Sequence, residues 1–286
     1  MVAFIADPFA QFCDDLKRFS TEHPFIISNT LSNIFTMRLI GNKTHGDLAE
    51  VGIAELISEF LPGYEAKHVG KDLFRAKKAE EDIEVTRQND GRKIPVSLKA
   101  YGDGPLQLST DKEGVLFPLL ESTANGATSL ESQDELEAIL NNPAFEALSS
   151  LNVLPLIYKE SERQCSIMIF DNSAISERTS RIVKHEPGTR GRTHPVWKFL
   201  DAQDNYICEV RYGGKSANAL QRGLWTHTKQ ASSCFDSLTG GWVDYSHNLV
   251  LTQVIAGLLN STPENHQEVL NLVKENLTQI PLMENQ

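Results

Sequence analysis

The feature that most constrains the fold is a set of short strand-like runs that follows one amphipathic helix. Residues 45–60 place apolar side chains at helical spacing, and a Leu-Pro-Gly stop follows at 61–63. Strand-like runs come next, at 64–69, 73–76, 82–86 and 94–100. The segment Gln-Asn-Asp-Gly at 88–91 is a hairpin signal between the last two runs. A helix followed by closely spaced strands predicts an α/β fold around a mixed sheet.

Helical patterns flank this region at both ends of the chain. They cover 3–20, 28–40, 133–140, 145–151, 247–259 and 263–277. Further strands are expected at 154–158, 166–170 and 206–212, and a polar helix at 215–224. We find no repeat or linker, so we expect one elaborated domain over residues 1–286. Its core would span about 45–170, a second region about 184–230, and C-terminal helices 247–278.

Composition excludes several classes of protein. Hydrophobic residues make up 40% and charged residues 23%, which is typical of a globular chain. No apolar window is long enough to cross a bilayer, and the N-terminus lacks the basic and apolar regions of a signal peptide. Four widely spaced cysteines without a CxxC pair argue against a disulfide framework or a zinc site. We therefore expect a cytoplasmic protein with reduced, mostly buried cysteines.

Charge is unevenly distributed along the chain. The formal net charge is -11, which at first sight disfavours a nucleic-acid partner. Between Pro118 and Tyr158 there are six acidic residues and no Lys or Arg. Between Lys184 and Lys229, in contrast, eight basic residues stand against four acidic ones. Because salt screens distant charge over roughly 8 Å, a basic zone can bind a polyanion despite the acidic total. An ordinary patch of surface Lys and Arg explains the same composition.

Two residues on neighbouring predicted strands have the chemistry for phosphodiester hydrolysis. Asp82 starts one strand, and Lys99 lies near the end of the next, 17 residues later. A carboxylate is a ligand for a hard cation such as Mg²⁺, and a lysine can orient or deprotonate a water beside a phosphate. Lys99 also lies in an otherwise apolar run, where a charge on the inner face is costly unless it is used or paired. The alternative is a turn aspartate and a surface lysine.

This layout resembles the PD-(D/E)XK nuclease superfamily, which includes type II restriction endonucleases. In that pattern an acid is followed further along the chain by (D/E)-X-K. Asp82 matches the first acid and Lys99 the lysine, but Ser97 occupies the position of the second acid. Some restriction enzymes carry S-X-K with the missing carboxylate displaced to another element. The resemblance implies a restriction-endonuclease-like mixed β-sheet flanked by helices, with helical additions at both ends, and Mg²⁺ as cofactor.

Two residues are candidates for the displaced metal-binding carboxylate. Glu50 lies on the helix before the strands, at the edge of its apolar face, where superfamily members often place an acid. Glu113 follows Lys99 by 14 residues, where the chain could return past the site. Glu50 is favoured and Glu113 is held in reserve. Asp103 and Asp111 are less favoured, since Asp is common in turns.

The basic zone contains the residue types that reach base edges. Arg and Lys suit guanine, Asn and Gln suit adenine, and Ser suits either. The candidate DNA-binding residues are Arg190, Arg192, His194, Arg211, Lys215, Ser216, Asn218, Gln221 and Arg222. A surface helix plus a flexible loop remains the alternative reading of these segments.

Together these patterns predict a Mg²⁺-dependent, sequence-specific double-stranded DNA endonuclease of restriction type. A homodimer is expected, because two-fold symmetry is the simplest way to cut both strands of a palindrome. A non-catalytic sequence-specific DNA-binding protein is the first alternative. A hydrolase or transferase for a small anionic substrate ranks third, because the chain lacks a complete GxxxxGK[ST] phosphate loop.

Overall fold

The computed structural model describes most of the 286-residue chain. The described residues are 7–37, 44–69, 81–102, 104–149, 152–187, 194–212, 222–246, 254–255 and 257–278. By its internal contacts the chain forms two compact units. Unit 1 comprises Met1–Pro95, Tyr158–Ile167 and Leu238–Gln286, and unit 2 comprises Val96–Ile157 and Met168–Ser237.

The elements are helices and two β-sheets, so the α/β class is confirmed. The helices are α1 (Pro8–Glu22), α2 (Pro24–Thr36), α3 (Thr44–Phe60), α4 (Leu116–Ala124), α5 (Gln133–Leu140), α6 (Pro143–Ser149), α7 (Ser173–Glu177) and α8 (His266–Thr278).

The strands belong to one mixed and one antiparallel sheet. They are β1 (Tyr64–His68), β2 (Ile83–Arg87), β3 (Arg92–Tyr101), β4 (Pro105–Thr110), β5 (Ser129–Leu130), β6 (Val153–Lys159), β7 (Gln164–Phe170), β8 (Arg181–His185), β9 (Val196–Leu200), β10 (Tyr206–Arg211), β11 (Gly223–His227), β12 (Phe235–Ser237) and β13 (Val243–Asp244). The mixed sheet has the order β1-β2-β3-β6-β7-β12, with β13 on β7. The antiparallel sheet has the order β4-β11-β10-β9-β8-β5.

In unit 1, helix α3 packs against the β1–β2 pair. Ile53 and Ile57 on α3, and Ile83 and Val85 on β2, are almost completely buried, so they form an apolar contact layer. The hydroxyl of Ser58 both donates to the carbonyl of Ala66 and accepts from its amide, each at 2.9 Å. These two hydrogen bonds tie the last turn of α3 to β1. The first half of the helix therefore lies beside the C-terminal end of that strand.

In unit 2, the antiparallel sheet has one apolar face and one polar face. Val210 lies opposite Leu224 across the β10–β11 pair, and both are fully buried in the core. Their neighbours in sequence, Glu209 and Trp225, are also opposite each other and point to the other face. Also within unit 2, β3 pairs with β6 in parallel, with Ser97 opposite Val153.

Most predicted elements that fall within the described residues are present. The helix predicted at 133–140 has those bounds, and the one at 45–60 matches α3 within one residue. The strand predicted at 73–76 lies outside the described residues. The helix predicted at 215–224 is wrong at its C-terminal end, because Gly223 and Leu224 begin β11. Tertiary pairing with β4 and β10 decides the conformation there, since both residues pair with strands on either side.

Two further expectations concern membranes and cysteines. Among the described helices, none is both long and apolar enough to cross a bilayer. All four cysteines are free and buried, as predicted. Burial raises the pKa of Cys13 to about 12 and raises the pKa of the other three thiols as well.

Candidate active site

Glu50, the favoured displaced acid, lies in the first half of α3 and is half-buried. Its carboxylate oxygen Oε2 is 2.7 Å from Nε2 of His68, the last residue of β1. Helix α3 packs on β1, so Glu50 and His68 meet at the C-terminal end of that strand. This contact uses the Oε2 atom of Glu50. The other carboxylate oxygen, Oε1, could bind a cation.

The environment of Glu50 raises its pKa above the ordinary glutamate value. Burial is the largest cause, and the negative charges of Asp82 and Asp47 raise the pKa further. The hydrogen bond and the charge of His68 act in the opposite direction. Asp82 is therefore near enough to Glu50 for their charges to interact. A cation bound beside Glu50 would stabilise its ionised form against burial and these negative charges.

Asp82 lies immediately before β2, in the same unit as Glu50. Its carbonyl accepts a hydrogen bond of 3.0 Å from the amide of Val69, which continues the β1–β2 pairing beyond the last paired residues. The side chain is half-buried. The start of β2 and the first half of α3 thus bring two of the predicted metal-binding carboxylates into one region.

Lys99 and Ser97 lie on β3 in unit 2. The strand alternation places both side chains on one face, with Leu98 on the other. Ser97 is 8% exposed and Lys99 is half-buried. Asp82 belongs to unit 1 and Lys99 to unit 2, so the prediction that they share one metal site stays a prediction.

The other candidate acids occupy different environments. Glu113 is exposed in the turn before α4. Asp111 is only 3% exposed, and its carboxylate accepts hydrogen bonds from the amides of Val115 and Leu116 at 3.0 and 2.9 Å. Asp111 therefore stabilises the start of α4, which is the turn role expected of it from the sequence.

Only three of the predicted DNA-binding residues are among the described ones. Arg190, Arg192, Lys215, Ser216, Asn218 and Gln221 lie outside them. The ring of His194 packs edge-on against Tyr212, with centroids 6.2 Å apart. One Nη of Arg222 is 3.4 Å from the carbonyl of Lys112, so this guanidinium lies against the turn before α4.

Arg211, the third, is held by its neighbours on β10 and β11. Its Nε donates a 2.6 Å hydrogen bond to Glu209, which is itself almost fully buried. The guanidinium carbon lies 4.3 Å from the centroid of the Trp225 ring, and Nη2 lies 3.4 Å from His227 Nε2. The guanidinium therefore has a defined position and plane.

Sequence reasoning missed the residues that contact Glu50 and Arg211. His68 was overlooked because nothing local in the sequence connects it to Glu50; α3 and β1 meet only after folding. Glu209 was detectable, because residues two apart on a strand share a face and opposite charges there attract. Among the described residues, no group of three or more His, Cys, Asp and Glu side chains is arranged to hold a metal ion.

The chain was compared with known proteins in three ways. It matches no protein-family model, no curated protein and no solved structure. Any functional conclusion therefore depends on the residues and the geometry described above.

Proposed function

We propose that this protein is a Mg²⁺-dependent, sequence-specific double-stranded DNA endonuclease of the type II restriction kind. The observation that carries the proposal is the arrangement of Glu50 and Asp82 around the end of β1: Glu50 contacts His68 at 2.7 Å, and the carbonyl of Asp82 accepts a 3.0 Å hydrogen bond from the amide of Val69. These are the two acids that the motif pattern and its displaced carboxylate predict. The elements also follow the expected order, with the acid-bearing helix before strands β1, β2 and β3.

The donor set fits magnesium. Mg²⁺ binds oxygen ligands and commonly takes one or two protein carboxylates, with waters and substrate phosphate completing its octahedron. Glu50 and Asp82 would supply those carboxylates. Bound there, the metal would neutralise charge that develops on the scissile phosphate. This requirement is met by two carboxylates, so the lack of a larger ligand group among the described residues is compatible with the proposal.

The remaining roles belong to this chain's own residues. Lys99 would orient or deprotonate the attacking water, and Ser97, on the same face of β3, would bind through its hydroxyl without adding charge. The basic zone at 184–230 would bind the duplex. A restriction-endonuclease-like arrangement of the mixed sheet, a homodimeric assembly and a cytoplasmic location complete the proposal.

Plasmid cleavage tests the proposal directly. Supercoiled DNA incubated with the protein should be cut at defined sites with Mg²⁺ and stay intact with EDTA. Glu50→Gln and Asp82→Asn should each abolish cutting, because each removes a ligand charge. Glu113→Gln serves as the matched control and should cut normally, since the Glu113 side chain is exposed in the turn before α4. Loss of cutting in Glu113→Gln alone would transfer the metal role to Glu113.

A non-catalytic sequence-specific DNA-binding protein is the second candidate. It is favoured by the contact between one Glu50 oxygen and His68, which occupies an atom of a proposed metal ligand. Such a protein would shift a duplex in a gel equally well with Mg²⁺ or EDTA and would never cut it. Calorimetric titration with Mn²⁺ separates the two functions, because only the nuclease should lose metal binding in Glu50→Gln.

A further inference from the structure

The inference concerns how Arg211 would select DNA, and it rests on the proposed function. Arg211 projects from the polar face of the antiparallel sheet in unit 2, next to Glu209 on its own strand and beside Trp225 on β11. Its side chain is 16% exposed, whereas that of Glu209 is 3% exposed. The carboxylate is therefore the more deeply buried partner, and the Arg211 side chain keeps some exposure to solvent.

The two neighbours restrict Arg211 in different ways. The 2.6 Å bond from Nε to Glu209 anchors one edge of the guanidinium. The Trp225 ring, 4.3 Å away, lies against its face. An exposed arginine loses considerable rotamer entropy when it binds a ligand, but a side chain already held on an edge and a face loses much less. The arrangement preorganises the Nη end of Arg211 for a planar acceptor.

The charge nearest to Arg211 favours a neutral acceptor. Glu209 contacts the guanidinium at 2.6 Å and neutralises it, and Lys198 lies opposite Glu209 on β9. A DNA phosphate placed on the Nη end would be attracted by Arg211 but repelled by the buried Glu209. The O6 and N7 atoms of guanine form a neutral pair of acceptors that matches two Nη donors without that repulsion.

We propose that Arg211, positioned by Glu209 and Trp225, reads a guanine in the major groove of the recognition sequence. Glu209 and Trp225 are positioning residues, since they act through Arg211. The competing explanation is that Arg211 serves only to neutralise the buried Glu209. The two explanations predict different DNA preferences.

A selection experiment distinguishes them. Short duplexes with a randomised centre are bound to the full-length protein in Ca²⁺ buffer, and the retained pool is sequenced. The wild type should enrich a guanine at one position. The double variant Arg211→Ala/Glu209→Gln should lose that preference by about 5- to 150-fold and keep the others. Removing both charges avoids leaving Glu209 buried and unpaired.

A matched control and a modified base complete the test. Arg181→Ala/Asp204→Asn removes another ion pair of unit 2, one of 2.5 Å between β8 and the turn after β9, and should keep the guanine preference. Substituting 7-deazaguanine at the enriched position should weaken wild-type binding and leave the double variant unaffected. Trp225→Phe should reduce the guanine preference partly, because the smaller ring supports the guanidinium less well.

Three results would overturn the inference. One is an unchanged guanine preference in the double variant. Another is a uniform loss of affinity with a salt slope smaller by about one, which indicates a phosphate contact. The third is a wild type that neither binds duplex nor cuts plasmid, which defeats the proposed function as well. Either of the first two results, together with plasmid cutting by the wild type in Mg²⁺, defeats the inference alone.

Discussion

At the scale of single residues, Lys99 is the most informative position in the chain. It is half-buried on β3, next to the buried Leu98, although a lysine loses hydration when its ammonium leaves water. Sequence reasoning selected this residue from its spacing after Asp82, and the cost of a charge in an apolar run supported that choice. Lys93 lies on the same strand with the same orientation, but its side chain is 64% exposed and forms an ion pair with Glu84 at 2.7 Å.

The two lysines form a matched pair for testing the catalytic role. Lys99→Ala should reduce plasmid cutting by at least about 100-fold, because a group that orients or deprotonates water contributes at that level. Lys93→Ala should cut normally, since an exposed ion pair contributes about 1 kcal/mol of stability or less. Duplex binding, measured by fluorescence anisotropy in Ca²⁺, should be retained in both. Normal cutting by Lys99→Ala would refute the role assigned to this lysine.

At the scale of elements, the turn between β2 and β3 has a pH-sensitive ion pair. Arg87 donates to both carboxylate oxygens of Asp90, at 3.1 and 2.5 Å, and this contact lowers the pKa of Asp90 to about 2. Asp90 also accepts a hydrogen bond from the amide of Arg92. The sequence predicted this hairpin from its turn residues, and Gly91 has the positive φ of 68° that such a turn requires.

The depressed pKa fixes the direction of the pH effect. The ionised Asp90 is favoured in the folded state, so its contribution to stability is complete above the unfolded pKa near 4 and is lost as the pH falls through about 2. Asp90→Asn should therefore be less stable than the wild type at neutral pH. This difference in the free energy of unfolding should become smaller as the pH falls from about 4 to about 2. Urea unfolding at a series of pH values measures this. A deficit that stays constant from pH 6 to pH 2 would contradict the assignment.

The buried Asp111 stabilises the start of α4. Asp111 accepts two backbone hydrogen bonds there while nearly fully buried, so Asp111→Ala leaves two amides without their acceptor. The free energy of unfolding should fall by about 1 to 3 kcal/mol. Glu113→Ala, two residues away and exposed, should change it by less than about 0.5 kcal/mol. Equal effects of the two substitutions in urea unfolding would refute the assignment.

At the scale of the whole molecule, the four buried cysteines report on the integrity of the fold. They lie on α1, β7 and β10 and in the short 3₁₀ turn before β12, so they sample both units. Burial raises their thiol pKa values, and thiolates are the reactive form. A chromogenic disulfide reagent should react slowly with the native protein. In denaturant it should react rapidly with all four thiols. Rapid native reaction of any thiol would show that its part of the fold opens.

Local patterns in the sequence determined the α/β class, the helix α3, the β2–β3 hairpin and the reduced state of the cysteines. These features depend on periodicity, turn residues and burial preference, which act over a few neighbouring residues. The two carboxylates of the proposed site were selected from their residue types and their order along the chain, and their role stays a prediction.

Only the tertiary structure decided the partners of those residues. His68 meets Glu50 because α3 packs on β1, and Trp225 supports Arg211 because β10 and β11 pair in one particular register. The same pairing turned Gly223 and Leu224 from a predicted helix end into a strand. Contacts between segments distant in sequence depend on packing and strand register, and neither leaves a local signal in the order of the amino acids.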